Sequence, residues 1–108
     1  MGIPEIDVTT AAARRAEGAV VLDVRNPDEY EQGHVPGALL IPLGELADRV
    51  AEVPTDADLL IICRSGARSL RAAEHLLAAV GIDATNIAGG TLAWIDAGYD
   101  VVTGAEAG

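Results

Sequence analysis

Five consecutive apolar residues, 59–63, constrain this chain more than any other feature. A run of five is too short for a helix, and turn-forming residues at 54–58 and Gly66 bound it on its two sides. A strand without polar alternation has both faces buried, as strands inside a parallel sheet do. The run therefore predicts the central strand of a parallel sheet.

Short apolar runs and helical patterns alternate along the rest of the chain. The other predicted strands are residues 3–8, 19–23, 38–41 and 84–87. The predicted helices are a first one capped by Thr9 or Thr10 and ending at residue 17, a brief one that Asn26 caps and Gly33 stops, and those at 43–50, 67–80 and 91–97. This alternation predicts an α/β fold with a mainly parallel central sheet and helices on both faces.

Two of these helices have an apolar face that should pack on the sheet. In the helix at 43–50 the face consists of Leu43, Leu46, Ala47 and Val50. In the helix at 67–80 it consists of Leu70, Ala73, Leu77 and Val80.

Length and composition indicate one domain with an aliphatic core. The chain has 108 residues, half of them hydrophobic, with no Phe and only three aromatic side chains. We assign residues 1–103 to the domain. Residues 104–108 are small or glycine apart from one acid, and we expect a flexible tail there.

The charge and the single cysteine narrow the classes of partner and compartment. A net charge of -10 disfavours nucleic acids and anionic membranes as partners. One cysteine cannot form an internal disulfide, and no apolar stretch is long enough to span a membrane. We therefore expect a monomeric cytoplasmic protein.

The segment around Cys63 carries the chemistry. A strand ends at the cysteine, and a helix begins a few residues later, so the loop between them can turn its N–H groups toward the sulfur. Gly66 permits the backbone angles that such a turn needs. A nest of amides lowers the pKa of a thiol. The sequence therefore predicts a nucleophilic thiolate, although a lone cysteine at a strand end can also be an ordinary core residue.

The basic residues cluster at the same place. All seven are Arg, and Arg64, Arg68 and Arg71 follow the cysteine closely. No acid occurs from Leu59 through Ala73 in a chain with 17 acids. This window should attract a small anion.

Three segments together resemble the rhodanese sulfurtransferase family, and the resemblance covers nearly the whole chain. The loop Cys63-Arg64-Ser65-Gly66-Ala67-Arg68 is similar to the family's active-site loop. Residues 21–30 and 33–38, with Asp23 and Arg25, resemble its upstream signature. Gly89 and Gly90 with Trp94 resemble its C-terminal one.

The resemblance implies a two-step sulfur transfer. The Cys63 thiolate would take sulfur from a donor such as thiosulfate and pass it from a persulfide to cyanide, a thiol or a protein. The loop residues Ser65, Gly66 and Ala67 would surround the sulfur, and Arg64 and Arg68 would hold the donor's negative charge. No metal and no organic cofactor are expected.

Other polar residues are interpreted as supporting ones. We expect Asp23 and Arg25 to act through loop geometry, with Arg68 bracing the loop, for instance through Asp23. His34, in a turn, should bond nearby backbone rather than serve as the base of Cys63, and His75 should face solvent. Trp94 is expected to be a packing anchor.

Two other functions remain open. One is a persulfide carrier that delivers sulfur to a single partner protein, because such a module would have the same loop. The other is a cysteine phosphatase or an arsenate reductase. Only four residues separate Cys63 from Arg68, one fewer than in the phosphatase pattern, and this disfavours that alternative.

Overall fold

Residues 59–62 of the apolar run form the central strand of a five-stranded sheet, and Cys63 follows directly after it. The computed structural model describes residues 2–108, and its strands are β1 (Glu5–Ile6), β2 (Val20–Asp23), β3 (Leu39–Leu40), β4 (Leu59–Ile62) and β5 (Thr85–Ile87). The strand order is β1-β5-β4-β2-β3, and every strand pair is parallel. The fold class predicted from the sequence is confirmed.

Four helices cover the sheet on both faces. They are α1 (Val8–Ala16), α2 (Pro27–Gln32), α3 (Ala67–Val80) and α4 (Gly90–Asp96). The side chains of β4 alternate between two cores: Leu59 and Ile61 pack with α3, whereas Leu60 and Ile62 pack with residues of α1, α2 and α4. None of the helices within residues 2–108 is both long and apolar enough to cross a bilayer.

The predicted face of α3 is wrong by a rotation of the helix. The buried residues are Ser69, Ala72, Ala73 and Leu76, whereas Leu77 and Val80 are 41% and 47% exposed. Several alanines along α3 make the apolar stripe broad, so periodicity alone does not fix which side faces the sheet. In the structure Ser69 faces inward, where its hydroxyl contacts Cys63 and Gly66 of the preceding loop.

Two further local predictions are corrected. Residues 43–50 form no α-helix; two short 3₁₀ helices, Leu43–Glu45 and Val50–Glu52, lie there, and Ala47 is exposed. Gly44 weakens a helix in this segment. The N-cap of α1 is Asp7, whose carboxylate accepts a hydrogen bond from Thr10 N at 2.8 Å, so the first strand is shorter than predicted.

Residues 104–108 fold back onto α2 and the segment that follows it. The Gly104 N–H donates to the carbonyl oxygen of Glu31 at 2.8 Å, and the Gly37 N–H donates to that of Ala107 at 2.7 Å. Just before the tail, His34 and Val102 exchange backbone hydrogen bonds of 2.9 and 2.8 Å. Flexibility of the tail itself stays a prediction.

The start of α4 is fastened directly to the backbone of the cysteine loop. The Thr91 N–H donates to the carbonyl oxygen of Cys63 at 2.8 Å, and the Leu92 N–H donates to that of Arg64 at 3.1 Å. Gly90 makes this approach possible: its φ is +59°, and a Cβ placed on it would lie 2.5 Å from the Arg64 carbonyl oxygen.

Replacing Gly90 with alanine should therefore destabilise the protein and loosen the loop. We expect Gly90→Ala to lower the free energy of unfolding by about 2 kcal/mol or more, since the methyl group meets backbone that cannot move aside. Urea unfolding measures it. Gly44→Ala is the control, because no atom lies within 4 Å of its Cβ, and a loss of stability equal to that of Gly90→Ala would contradict the prediction.

Candidate active site

Cys63 lies directly beyond the carboxyl end of the central strand. β4 ends at Ile62, which is the register partner of Asp23 at the end of β2. Parallel strands bring their carboxyl ends to one edge of a sheet, and that edge is where the sequence predicted the site. The loop then turns at Gly66, whose φ of +112° starts α3.

The loop wraps around the sulfur as the sequence predicted. The Gly66 N–H donates to Cys63 Sγ at 3.1 Å, and the Ser69 hydroxyl lies 3.2 Å from the same atom. Cys63 is 1% exposed. A donor can therefore reach it only with a terminal atom.

Two opposing effects set the acidity of the thiol. Burial of Cys63 raises its pKa and is the largest single effect. Hydrogen bonds from the Ser69 hydroxyl and from the backbone N–H groups of Ser69, Gly66 and Ser65 lower the pKa, and together they outweigh burial. The net result is a pKa below the ordinary value, so the thiolate forms more readily than in a free cysteine.

Sequence reasoning missed Ser69 and its partner Asn86. Ser69 is completely buried, and its oxygen lies 2.5 Å from Oδ1 of Asn86 on β5. A polar residue at the inward side of the first turn of α3 was the available signal. It went unused because the wrong face of that helix was assigned to the sheet.

Arg68 is held by Glu29 and not by Asp23, which corrects the predicted brace. Its two terminal nitrogens donate to the two carboxylate oxygens of Glu29 at 2.7 and 2.8 Å. These hydrogen bonds lower the pKa of Glu29 to about 2. Glu29 also accepts a hydrogen bond from the Asn26 N–H at 3.1 Å and so helps to cap α2. The same carboxylate therefore caps α2 and, through Arg68, anchors the cysteine loop.

Asp23 and Arg25 form a buried ion pair that fixes α2. Nε and Nη2 of Arg25 donate to the carboxylate of Asp23 at 2.8–3.1 Å. The same guanidinium donates to the carbonyl oxygens of Glu29 and Gly33. The pair therefore reaches the loop indirectly, by placing Glu29 opposite Arg68.

The remaining predicted loop residues face outward. Arg64, Ser65 and Ala67 are exposed, and Arg64 makes no ion pair with a carboxylate of residues 2–108. With Arg68 neutralised by Glu29, Arg64 is the loop cation that stays available to an anion.

The two histidines lie outside this chemistry. His34 is completely buried and stacks on the Tyr30 ring at 3.5 Å. Its two ring nitrogens lie within hydrogen-bond distance of the carbonyl oxygens of Tyr30 and Ala107. His75 is exposed on α3. Among residues 2–108 no three His, Cys, Asp or Glu side chains are arranged to hold a metal ion. Trp94 is 3% exposed and packs on Tyr99, as expected of an anchor.

A groove of about 310 Å³ lies beside the loop, between α2 and α4. Its lining includes Arg64 together with two apolar residues of α4, Leu92 and Ile95, which are 47% and 50% exposed. The groove combines apolar walls with the available loop cation.

Several known proteins are similar to this chain in sequence and in fold. The profile of the Rhodanese-like domain family matches residues 7–97. A sulfurtransferase of Allochromatium vinosum is 37% identical over 102 residues, covering 93% of this chain and 95% of that protein. Thiosulfate sulfurtransferase 18 of Arabidopsis thaliana is 35% identical over 118 residues, covering 96% and 87%. The crystal structure of a rhodanese-related protein from Thermoplasma volcanium has a TM-score of 0.84 at 31% identity, covering 92% and 97%.

The ion pair between Glu29 and Arg68 should make stability depend on pH in acid. The pKa of Glu29 falls from an ordinary 4.5 to about 2 on folding. Its stabilising contribution is therefore complete above pH 4.5 and is lost as the pH falls toward 2. We expect Glu29→Gln to cost about 1 kcal/mol at neutral pH and to flatten the stability profile over that interval.

Urea unfolding at a series of pH values measures this contribution. Glutamine keeps an oxygen for the capping interaction of α2, and it removes both the charge and the second acceptor oxygen that Arg68 uses. Glu31→Gln, an exposed acid on the same helix, is the matched control. Parallel stability profiles for wild type and Glu29→Gln between pH 4.5 and 2 would contradict the assignment.

Proposed function

The chain belongs to the Rhodanese-like domain family, and on that premise we propose that it is a sulfurtransferase whose Cys63 carries sulfur as a persulfide from a small anionic donor such as thiosulfate to a thiophilic acceptor. The observation that carries the proposal is the buried Cys63 sulfur, which accepts a hydrogen bond from the Gly66 N–H and has a pKa below that of a free cysteine. The proposal includes a monomer acting without metal or organic cofactor, in a reducing compartment such as the cytoplasm, where a free thiol persists.

The geometry of the loop supports the first step. The Cys63 thiolate attacks the outer sulfur of thiosulfate and forms a new S–S bond. The bond between the two thiosulfate sulfurs breaks, and sulfite leaves with the electron pair. The outer sulfur is a terminal atom, which suits a cysteine that is 1% exposed. Arg64 draws the dianion to the mouth of the loop.

The second step regenerates the thiolate. Cyanide or a thiolate attacks the outer sulfur of the persulfide, and the electron pair of the S–S bond returns to Cys63 Sγ. Cyanide leaves as thiocyanate, and a thiol acceptor leaves as a persulfide. The loop amides stabilise the negative sulfur at the start and at the end of the cycle.

Phosphatase chemistry is the poorer fit. A phosphatase loop needs an arginine that is available to a dianionic phosphate, and the corresponding Arg68 is bound through both terminal nitrogens to Glu29. The four-residue spacing between Cys63 and Arg68 also makes a smaller ring, suited to one sulfur atom.

Intact-mass spectrometry after thiosulfate treatment tests the proposal. We expect the protein to gain one sulfur atom, about 32 Da, and to lose it on addition of cyanide or a thiol. Cys63→Ser should gain nothing, whereas Ser65→Ala, an exposed loop variant, should still load. An adduct on Cys63→Ser, or turnover of an aryl phosphate at a rate that rivals sulfur transfer, would overturn the assignment.

The groove supports a second candidate, a persulfide carrier for one partner protein. Exposed Leu92 and Ile95 next to an unpaired Arg64 are complementary to an acceptor segment that presents a cysteine between an apolar and an acidic residue. A small acceptor such as cyanide would not need the apolar residues of the groove.

Substitution of the groove wall separates the two candidates. We expect Leu92→Asn, which adds no charge beside Arg64, to leave thiosulfate loading and transfer to cyanide unchanged, and to weaken transfer to a cysteine peptide flanked by leucine and glutamate about tenfold in kcat/KM. Val80→Asn is the control, because Val80 is equally exposed at 47% but lies at the end of α3. Equal peptide kinetics in the two variants would exclude the carrier role of this groove.

A further inference from the structure

The hydroxyl of Ser69 lies near more hydrogen-bond acceptors than it can donate to at one time. Its oxygen lies 3.2 Å from Cys63 Sγ, 3.2 Å from the carbonyl oxygen of Gly66 and 2.5 Å from Oδ1 of Asn86. A hydroxyl carries one proton, so it donates to one of them at a time. The choice decides whether the sulfur receives a side-chain hydrogen bond in addition to those from the backbone.

A carboxylate on the edge strand fixes the orientation of Asn86. Glu5 and Asn86 are register partners in the pairing of β1 with β5. Nδ2 of Asn86 donates to Oε2 of Glu5 at 2.7 Å and to the carbonyl oxygen of Gly66 at 3.2 Å. A carboxylate can only accept, so Glu5 keeps the NH₂ group toward itself and the amide oxygen toward Ser69. Asn86 is 1% exposed, so water does not offer it other partners.

We propose that Asn86, oriented by Glu5, is a positioning residue that competes with the Cys63 sulfur for the Ser69 proton. The amide oxygen is the nearer of the two acceptors. The backbone amides stabilise a negative sulfur, and this competition limits how far the stabilisation goes. The consequence for catalysis rests on the function proposed above: a thiolate of very low pKa is a weaker nucleophile, so the limit keeps Cys63 reactive.

The other charged groups near the sulfur come from different elements. Arg68 of α3 acts electrostatically on Cys63 and is paired with Glu29 of α2. Asp23, at the end of β2, is paired with Arg25. Within residues 2–108 none of these side chains hydrogen-bonds to Ser69 or Asn86. Substitutions at Asn86 and Glu5 therefore leave these ion pairs in place.

Titration of the thiolate by its ultraviolet absorbance tests the proposal, since no reagent has to reach the buried sulfur. The Cys63→Ser spectrum supplies the baseline. We expect Asn86→Leu to lower the midpoint by about half a pH unit or more, because the Ser69 proton becomes free to turn toward the sulfur. Glu5→Gln should shift it in the same direction by less. Thr85→Val, a buried substitution on the same strand, should leave it unchanged.

A second background separates this mechanism from simple removal of charge. Ser69→Ala removes the proton that is competed for, so adding Asn86→Leu or Glu5→Gln to it should produce no shift. A direct electrostatic effect of Glu5 would persist there. An unchanged or raised midpoint in Asn86→Leu, or a shift that survives in the Ser69→Ala background, would overturn the proposal.

Glu5 is exposed, so Glu5→Gln decides by the same criteria if Asn86→Leu does not fold. The shift that Glu5→Gln causes in the titration midpoint must be present when Ser69 is kept and absent in the Ser69→Ala background. Any other pattern overturns the proposal. The titration uses no sulfur donor. Failure of thiosulfate to load Cys63 would therefore overturn the proposed function and leave the competition for the proton standing.

Discussion

The balance between burial of the Cys63 sulfur and the N–H groups turned toward it is the interaction on which the site depends. Burial raises the pKa of the thiol, and the hydrogen bonds from the Ser69 hydroxyl and from the loop N–H groups together lower the pKa by more than burial raises it. Backbone donors cannot be exchanged for other side chains, so the pKa of Cys63 depends on the path of the loop. Whatever holds that path therefore also affects the acidity of the thiol.

Three elements hold the loop from different sides. At the start of α4, two backbone N–H groups donate hydrogen bonds to the carbonyl oxygens of Cys63 and Arg64, and Gly90 permits the close approach. α2 contributes Glu29, which binds the guanidinium of Arg68. β5 contributes Asn86, which bonds the Gly66 carbonyl oxygen. Each contact joins residues far apart in sequence, so the position of the loop depends on how the whole domain packs.

The parts of the site that could be predicted are those formed by neighbours in sequence. The strand ending at Cys63, the turn at Gly66 and the helix that starts after it follow from local pattern and glycine chemistry. The partner of Arg68 could not be predicted the same way. Asp23 and Glu29 are both acids in the upstream signature, and only the folded chain shows that Glu29 is the one that binds the guanidinium.

The sequence by itself determined the parallel α/β fold, the central strand and the place of the lone cysteine at the end of that strand, because apolar runs, turn residues and a single cysteine are local signals. The tertiary structure alone decided which face of α3 packs inward, that Ser69 and Asn86 stand beside the sulfur, and that Glu5 reaches the site through the edge strand. The physical reason is that a hydrogen bond between side chains depends on helix rotation and strand register, and many distant contacts set both of these together.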